Sequence, residues 1–256
     1  MTPCTLALSV ALGAGLPGSL GAALSAHLQA GLAEARVGDW VTYQADGGGG
    51  RVAFWRLAIV GEERDRDGRD AFWLELDVGD HPGLEAPLSQ MRFLVAKGVA
   101  PSRGAITRIV AGFASLKPQE LADDAVGAVE RPLAPGPAPG LLPDASPRLR
   151  AREGPEARLM TAAGTVAAIP VDVYLGDTSI ERLWLSRQVP VLHLAKIEVP
   201  AIGHSLEVRD FGTNARPRLT TPAPNEPKIH LEPHGTVPIG EPSEGASDAR
   251  QASLRP

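Results

Sequence analysis

Few residues of this chain are spaced for chemistry. His193 and His204 stand eleven residues apart, a spacing that could bring two imidazoles from neighbouring strands to one metal ion. His193 falls in an apolar run and His204 beside a turn, so structural roles are the preferred reading, while His230 and His234 are too isolated to hold an ion. Ser205 follows Gly203-His204, but this is not the G-x-S-x-G elbow that exposes a nucleophile. The single cysteine, Cys4, lies in a segment expected to be removed. Asp65, Asp67 and Asp70 resemble a calcium loop, yet Arg64, Arg66 and Arg69 are interleaved and would repel the cation, so a solvated hairpin tip is the better account. Glu75, Asp77 and Glu181 are the carboxylates a glycoside hydrolase would need, and strand alternation places them on a wet face instead. The glycines from Gly47 to Gly50 are followed by neither Lys-Ser/Thr nor a helix, so they are not a phosphate loop. An enzyme would require Glu75, His193 and Asp210 to converge. The expectation is a non-catalytic protein with no metal and no cofactor.

What remains is bulky apolar surface. Trp40, Tyr43, Trp55, Phe72, Trp73, Phe93 and Trp184 are the candidate ligand-binding residues. Trp73 and Trp184 fall opposite the main apolar set of their strands, and a sheet apolar on both faces needs a cover on each. That cover can be a helix, a lipid or a partner protein. The plainer alternative is ordinary core beneath a helix such as 117–126.

The elements carrying these residues read as strands. Val37–Gln44 is rich in β-formers, and Arg51–Val60 alternates Trp55, Leu57 and Ile59 with Arg56 and Ala58. Ala71–Val78 places Phe72, Leu74, Leu76 and Val78 on one face and Trp73, Glu75 and Asp77 on the other, a half-buried strand. The connections are glycine-rich or charged and short, which implies hairpins and an antiparallel sheet. Further strands are expected at Gln90–Ala96, Ala105–Phe113, Arg158–Ala162, Thr165–Leu175, Glu181–Arg187, Val189–Val199 and Ser205–Phe211, with a helix over Lys117–Val126. Nine to ten strands in one twisted sheet should curl into a half-barrel, barrel or sandwich. The fold class is therefore mainly β (α+β): a single curved antiparallel sheet with one or two covering helices.

Composition sets the boundaries. The run Leu6–Ala26 is small and apolar, with no Lys or Arg before Arg36, and residues 1–26 are read as a signal peptide that lacks the usual positive start. Glycines and Pro17 interrupt it, so it makes a poor spanning helix, and no transmembrane span is expected after processing. An amphipathic helix packed on the domain is the alternative. Six prolines between 131 and 147 mark an insertion that cannot join a central ladder. The β domain is placed at 36–212, and the Pro/Ser/Glu/Ala-rich segment 213–256 is expected to be disordered. Net charge is −5, and the four lysines (Lys97, Lys117, Lys196, Lys228) are scattered. Neither a nucleic-acid surface nor a polybasic membrane patch is supported.

Several short stretches carry a resemblance. VGDWVTY opens the domain, Gly164-Thr165 precedes a strand, Trp184, Ser186 and Val189-Pro190 form a W-x-S-x-x-V-P hairpin, and Asp210-Phe211-Gly212 closes the last strand. Together, over about 36–212, they resemble the lipoprotein-carrier superfamily of exported bacterial proteins, in the LolA/LolB style. The resemblance implies a half-barrel with helices over its concave face that binds acyl chains or another apolar ligand. The expected protein is thus exported, periplasmic or outer-membrane associated, and binds a lipid, acyl chain or lipoprotein. The rival expectation is a structural or protein-interaction module whose partner is another envelope protein.

Overall fold

The computed structural model describes residues 31–47, 52–98, 105–113, 117–130, 149–223 and 225–230. The expected signal peptide at 1–26, the proline-rich insertion at 131–147 and the tail beyond 230 lie outside the described residues.

Twelve strands form the fold: β1 (Trp40–Asp46), β2 (Val52–Arg64), β3 (Asp70–Gly79), β4 (Ser89–Ala96), β5 (Ile106–Phe113), β6 (Gln119–Glu120), β7 (Leu149–Glu153), β8 (Ala157–Thr161), β9 (Gly164–Leu175), β10 (Thr178–Leu185), β11 (Leu194–Val199) and β12 (His204–Gly212). The helix α1 (Asp123–Glu130) follows β6, and residues 31–34 are also helical. The strands make one sheet ordered β6-β5-β4-β3-β2-β1-β12-β11-β10-β9-β7, with β8 pairing the other end of β9. All ladders are antiparallel. The first strand pairs with the last, Trp40 opposite Gly212 and Asp46 opposite Ser205, which joins two meanders into a single sheet.

The expected single curved antiparallel sheet is the observed one; it is left unclosed, which decides against the closed barrel, and it has two strands more than the upper expectation. The added strands are β6 and β7. β6 is only two residues long, and β7, with the sequence LRARE, carries charge at three of five positions; both are edge strands and lack the apolar content that marks an interior strand.

Two other boundaries differ. The helix expected from Lys117 starts at Asp123, because the preceding residues extend the sheet edge: Leu121 N–H donates to Ile109 O at 2.8 Å. The long strand expected over Val189–Val199 begins only at Leu194. Pro190 has no N–H for a ladder, and Val191 and His193 adopt φ of 70° and 51°, which turn the chain before β11.

The sheet curls about its apolar face. Register shifts at Thr42/Tyr43, Ile59/Gly61, Leu94/Val95 and Trp184/Leu185 are the bulges that bend it. Tyr43 on β1 donates its phenol to Leu194 O at 2.9 Å, although β12 lies between β1 and β11. That contact requires strong curvature. The enclosed face holds one continuous core in which Tyr43, Trp55, Phe72, Leu74, Phe93, Ile109, Val173, Leu183, Leu194 and Val208 are all buried.

Candidate functional site

Strand pleating sends alternate residues of β2, β3 and β4 to the outer face: Arg56 and Ala58, then Trp73, Glu75 and Asp77, then Gln90, Arg92 and Leu94. This is the expected division, but the outer face is not wet. Glu75 and Asp77 are 0% exposed, so their reading as solvated strand carboxylates is corrected. The cover is the C-terminal segment itself. Residues 213–223 and 225–230, within the segment expected to be disordered, run across the outer face from the end of β12 to the β6 edge. Low aromatic content hides this strap from a sequence reading, and its anchors are polar groups paired with charges far away in the chain.

The anchoring begins at Gly38, whose carbonyl accepts Ala215 N–H at 2.8 Å. Glu75 then holds the strap backbone. Its carboxylate accepts the N–H groups of Arg218 (3.0 and 3.1 Å) and Leu219 (3.0 Å) and the Arg92 guanidinium (3.0 Å). Arg92 also donates to Thr221 Oγ1 at 2.9 Å and to the carbonyl of Leu219. Arg56 stands 3.6 Å from Glu75 and 3.2 Å from Asp77, and Arg218 reaches Asp77 at 3.4 Å and Leu84 O at 3.0 Å. Gln90 satisfies the other Asp77 oxygen at 2.9 Å. Burial pushes the Asp77 pKa up and the Glu75 charge pushes the same way, against Gln90, Arg56 and Arg218. Leu219, 3% exposed, inserts beside Ala58, Val60, Ala71, Trp73, Leu94 and Val110 in a second, smaller apolar cluster. At the far edge Ile229 exchanges hydrogen bonds with Glu120 and Ala122.

An open cleft of about 630 Å³ adjoins this network where β1, β2 and β12 meet the strap. Trp40, Arg56, Arg209, Asp210, Arg216 and Arg218 are among its lining. A smaller cleft of about 390 Å³ lies farther along the sheet, between Arg152, Pro155, Pro170, Asp172, Arg182 and Trp184.

The seven expected ligand-binding residues divide between the two faces. Tyr43, Trp55, Phe72 and Phe93 are at most 5% exposed in the main core, where they pack against one another's neighbours. Burial raises the Tyr43 phenol far above its ordinary pKa. Trp73 lies on the outer face, as expected, donates to Glu63 Oε2 at 2.9 Å, and is overlaid by Arg108 (5.1 Å) and Arg92 (5.9 Å). Trp184 also points away from its buried neighbours Leu183 and Leu185, between Arg182 (5.7 Å) and Lys196 (5.6 Å). Trp40 donates to Thr213 O at 3.3 Å and forms one wall of the larger cleft. The structure therefore does not gather these seven residues into one site.

The other candidates separate too. His193 lies 3.7 Å from Glu34, and burial lowers its pKa. His204 pairs with Val199 at the opposite end of β11, about 20 Å away at the rise of a strand. Glu75 lies 3.6 Å from Arg56, and Asp210 lines the same cleft as Arg56, but His193 does not join them. Asp65 organises its hairpin, accepting the N–H groups of Asp67 (2.9 Å) and Arg69 (2.8 Å) and pairing with the Arg69 side chain at 2.7 Å.

Fold and site together define a β protein with one curled sheet, a filled inner face and an outer face strapped by its own C-terminal segment. No family model and no curated protein sequence matches the chain. Among solved structures, it is similar to a protein described as exported, with a YmcC-like fold, from Bacteroides fragilis: 8% identity over 70% of this chain and 97% of that one, at a TM-score of 0.34. It is also similar to MucB in complex with the periplasmic part of MucA: 13% identity over 77% of this chain and 56% of that one, TM-score 0.37. A third likeness is to MucB of the Pseudomonas aeruginosa MucA/MucB complex: 15% identity over 76% of this chain and 58% of that one, TM-score 0.34. The chain thus spans little more than half the length of the MucB chains. None of the three is described as a LolA or LolB protein, and at these scores the likeness carries no functional assignment.

Proposed function

We propose that this chain is a non-catalytic polypeptide-binding module of the cell envelope, and that its outer face is the working surface. The observation that carries this reading is where the open space lies. The inner face, which would have to receive an acyl chain, is occupied by Tyr43, Trp55, Phe72 and Phe93, none more than 5% exposed. The 630 Å³ cleft opens on the outer face and is lined by arginines rather than aliphatic side chains. An acyl chain gains its binding energy from apolar contact, which such a lining supplies poorly. Polypeptide backbone, by contrast, is already held on this face by Glu75. The apolar run Leu6–Ala26 supports export, and no helix among the described residues is long and apolar enough to cross a membrane.

Two measurements on the purified chain separate this from the lipid-carrier reading. Selection from a displayed random-peptide library should yield peptides that bind with a defined stoichiometry. Solvent extraction with mass spectrometry, and titration with a fluorescent fatty acid, should give no stoichiometric lipid. A lipid recovered at one per chain, with no peptide selected, would reverse the assignment.

A further inference from the structure

The larger cleft has a charge that the chain as a whole does not. Net charge is −5, yet Arg56, Arg209, Arg216 and Arg218 all line this cleft, with Asp210 as its lining carboxylate. Two of the arginines are committed beneath it, Arg56 and Arg218 to Asp77 at 3.2 and 3.4 Å. The other two are not neutralised in this way. Arg209 is fixed by one hydrogen bond to Gln44 (2.9 Å) and by Phe54, whose ring centroid lies 5.5 Å from its guanidinium. A guanidinium has five N–H donors, and Gln44 accepts from one. Arg216 is exposed and makes no ion pair among the described residues.

We propose that this cleft binds an acidic peptide segment of another protein, seating its carboxylates on Arg209 and Arg216; this rests on the polypeptide-binding reading above. Three features select that occupant. Arginine's planar fork matches a carboxylate in two parallel hydrogen bonds, and next door Arg92 already pairs with a carboxylate through one of its nitrogens, Nη2 to Glu75 at 3.0 Å. The surplus of charge is small: across cleft and network, Arg56, Arg92, Arg209, Arg216 and Arg218 face Glu75, Asp77 and Asp210. Such a balance suits a few spaced carboxylates and would hold a dense run of phosphates weakly. Trp40, Pro82 and Pro217 add apolar wall to the cleft, which a peptide's intervening side chains can cover and an inorganic anion cannot. The volume lies within the range of ligand sites, about 300–1,000 Å³.

The test is a titration of the full chain with fluorescent hexaglutamate, with hexalysine, inorganic phosphate and phosphatidylglycerol vesicles as parallel probes. The comparison protein carries Arg209→Gln and Arg216→Gln together, outside the buried network, and its melting curve should match that of the parent chain. Hexaglutamate should bind in preference to hexalysine, weaken at high salt through screening of exposed charge, and lose about tenfold or more in affinity in the double variant. Equal affinity in the double variant overturns the site, and so does binding of vesicles or phosphate without hexaglutamate. If library peptides bind the chain but neither prefer acids nor respond to the two substitutions, this proposal falls and the polypeptide-binding reading stands. If no peptide of any composition binds, both fall.

Discussion

Glu75 on β3 accepts the main-chain N–H of Leu219 at 3.0 Å, across 144 residues of sequence. That bond makes a strand carboxylate the organiser of the chain's C-terminal segment. The arrangement is costly to disturb, because a buried charge tolerates the loss of a partner poorly while a complete pair is only modestly stabilising.

Replacing Glu75 by alanine should therefore be severe. It strands Arg92, 6% exposed, and leaves the N–H groups of Arg218 and Leu219 without their acceptor. A loss of about 3–5 kcal/mol is expected from urea unfolding. A loss under about 1 kcal/mol would show that the carboxylate is solvated and the strap not seated on it.

Leu219→Ala tests the apolar half of the same anchor. Its side chain fills a pocket between Trp73, Leu94 and Val110, so truncation should cost about 2–4 kcal/mol if the strap stays down. The strap can instead lift, which caps the loss at the strap's own docking energy. Hydrogen exchange distinguishes these outcomes: the Arg218 and Leu219 amides should exchange faster in the variant while those of β9 and β10 are unchanged. Unaltered protection at 218 and 219 would argue against docking through Leu219.

Phe93 separates core from ligand site. It is 0% exposed in the main core, and Phe93→Ala should cost about 3–5 kcal/mol through lost burial and a residual cavity. A residue lining an empty ligand groove would give much less, so a small effect on the midpoint of denaturation would reopen the inner face as a binding site.

Two carboxylates should pull the pH dependence of stability in opposite directions. Asp77 has a raised pKa, burial being the largest cause. The folded state therefore binds its proton more readily than the unfolded state, whose ordinary value is 3.8. Its contribution to stability is largest below that value and declines as pH rises through the folded pKa. For Glu120, burial alone would raise the pKa, but hydrogen bonds and charge from Arg108 and Lys228 outweigh it and hold the group below its ordinary 4.5. Its contribution is complete above 4.5 and is lost as pH falls through the folded pKa. Relative to the parent chain, Asp77→Asn should remove a decline of stability with rising pH above about 4. Glu120→Gln should remove a decline with falling pH below about 4.5. Parallel stability–pH curves for the parent and either variant would refute the corresponding assignment.

Gly38 fixes where the strap departs. Its φ is 101°, and an added Cβ would stand 3.0 Å from Asn214 N. Gly38→Ala should cost about 1–3 kcal/mol, mostly from backbone strain, and should weaken the Ala215-to-Gly38 hydrogen bond. The melting temperature and the Ala215 exchange rate report the two effects.

The alternation of Trp55, Leu57 and Ile59, and of Phe72, Leu74, Leu76 and Val78, was sufficient to define a single antiparallel sheet and its inner face, because a strand's side-chain period is set locally by the backbone. The same pattern placed Trp73, Glu75 and Asp77 on the outer face, again correctly. Whether that face meets water is not a local property. It depends on a segment 140 or so residues downstream, whose polar anchors carry no hydrophobic period to announce them. Only tertiary structure seats Leu219 over Ala58 and Leu94, brings Arg56 and Arg92 to carboxylates on a neighbouring strand, and collects Arg209 and Arg216 at one cleft. Pairing between distant charges has no sequence spacing, so the sequence by itself determined the sheet, and the fold decided which of its faces is a site.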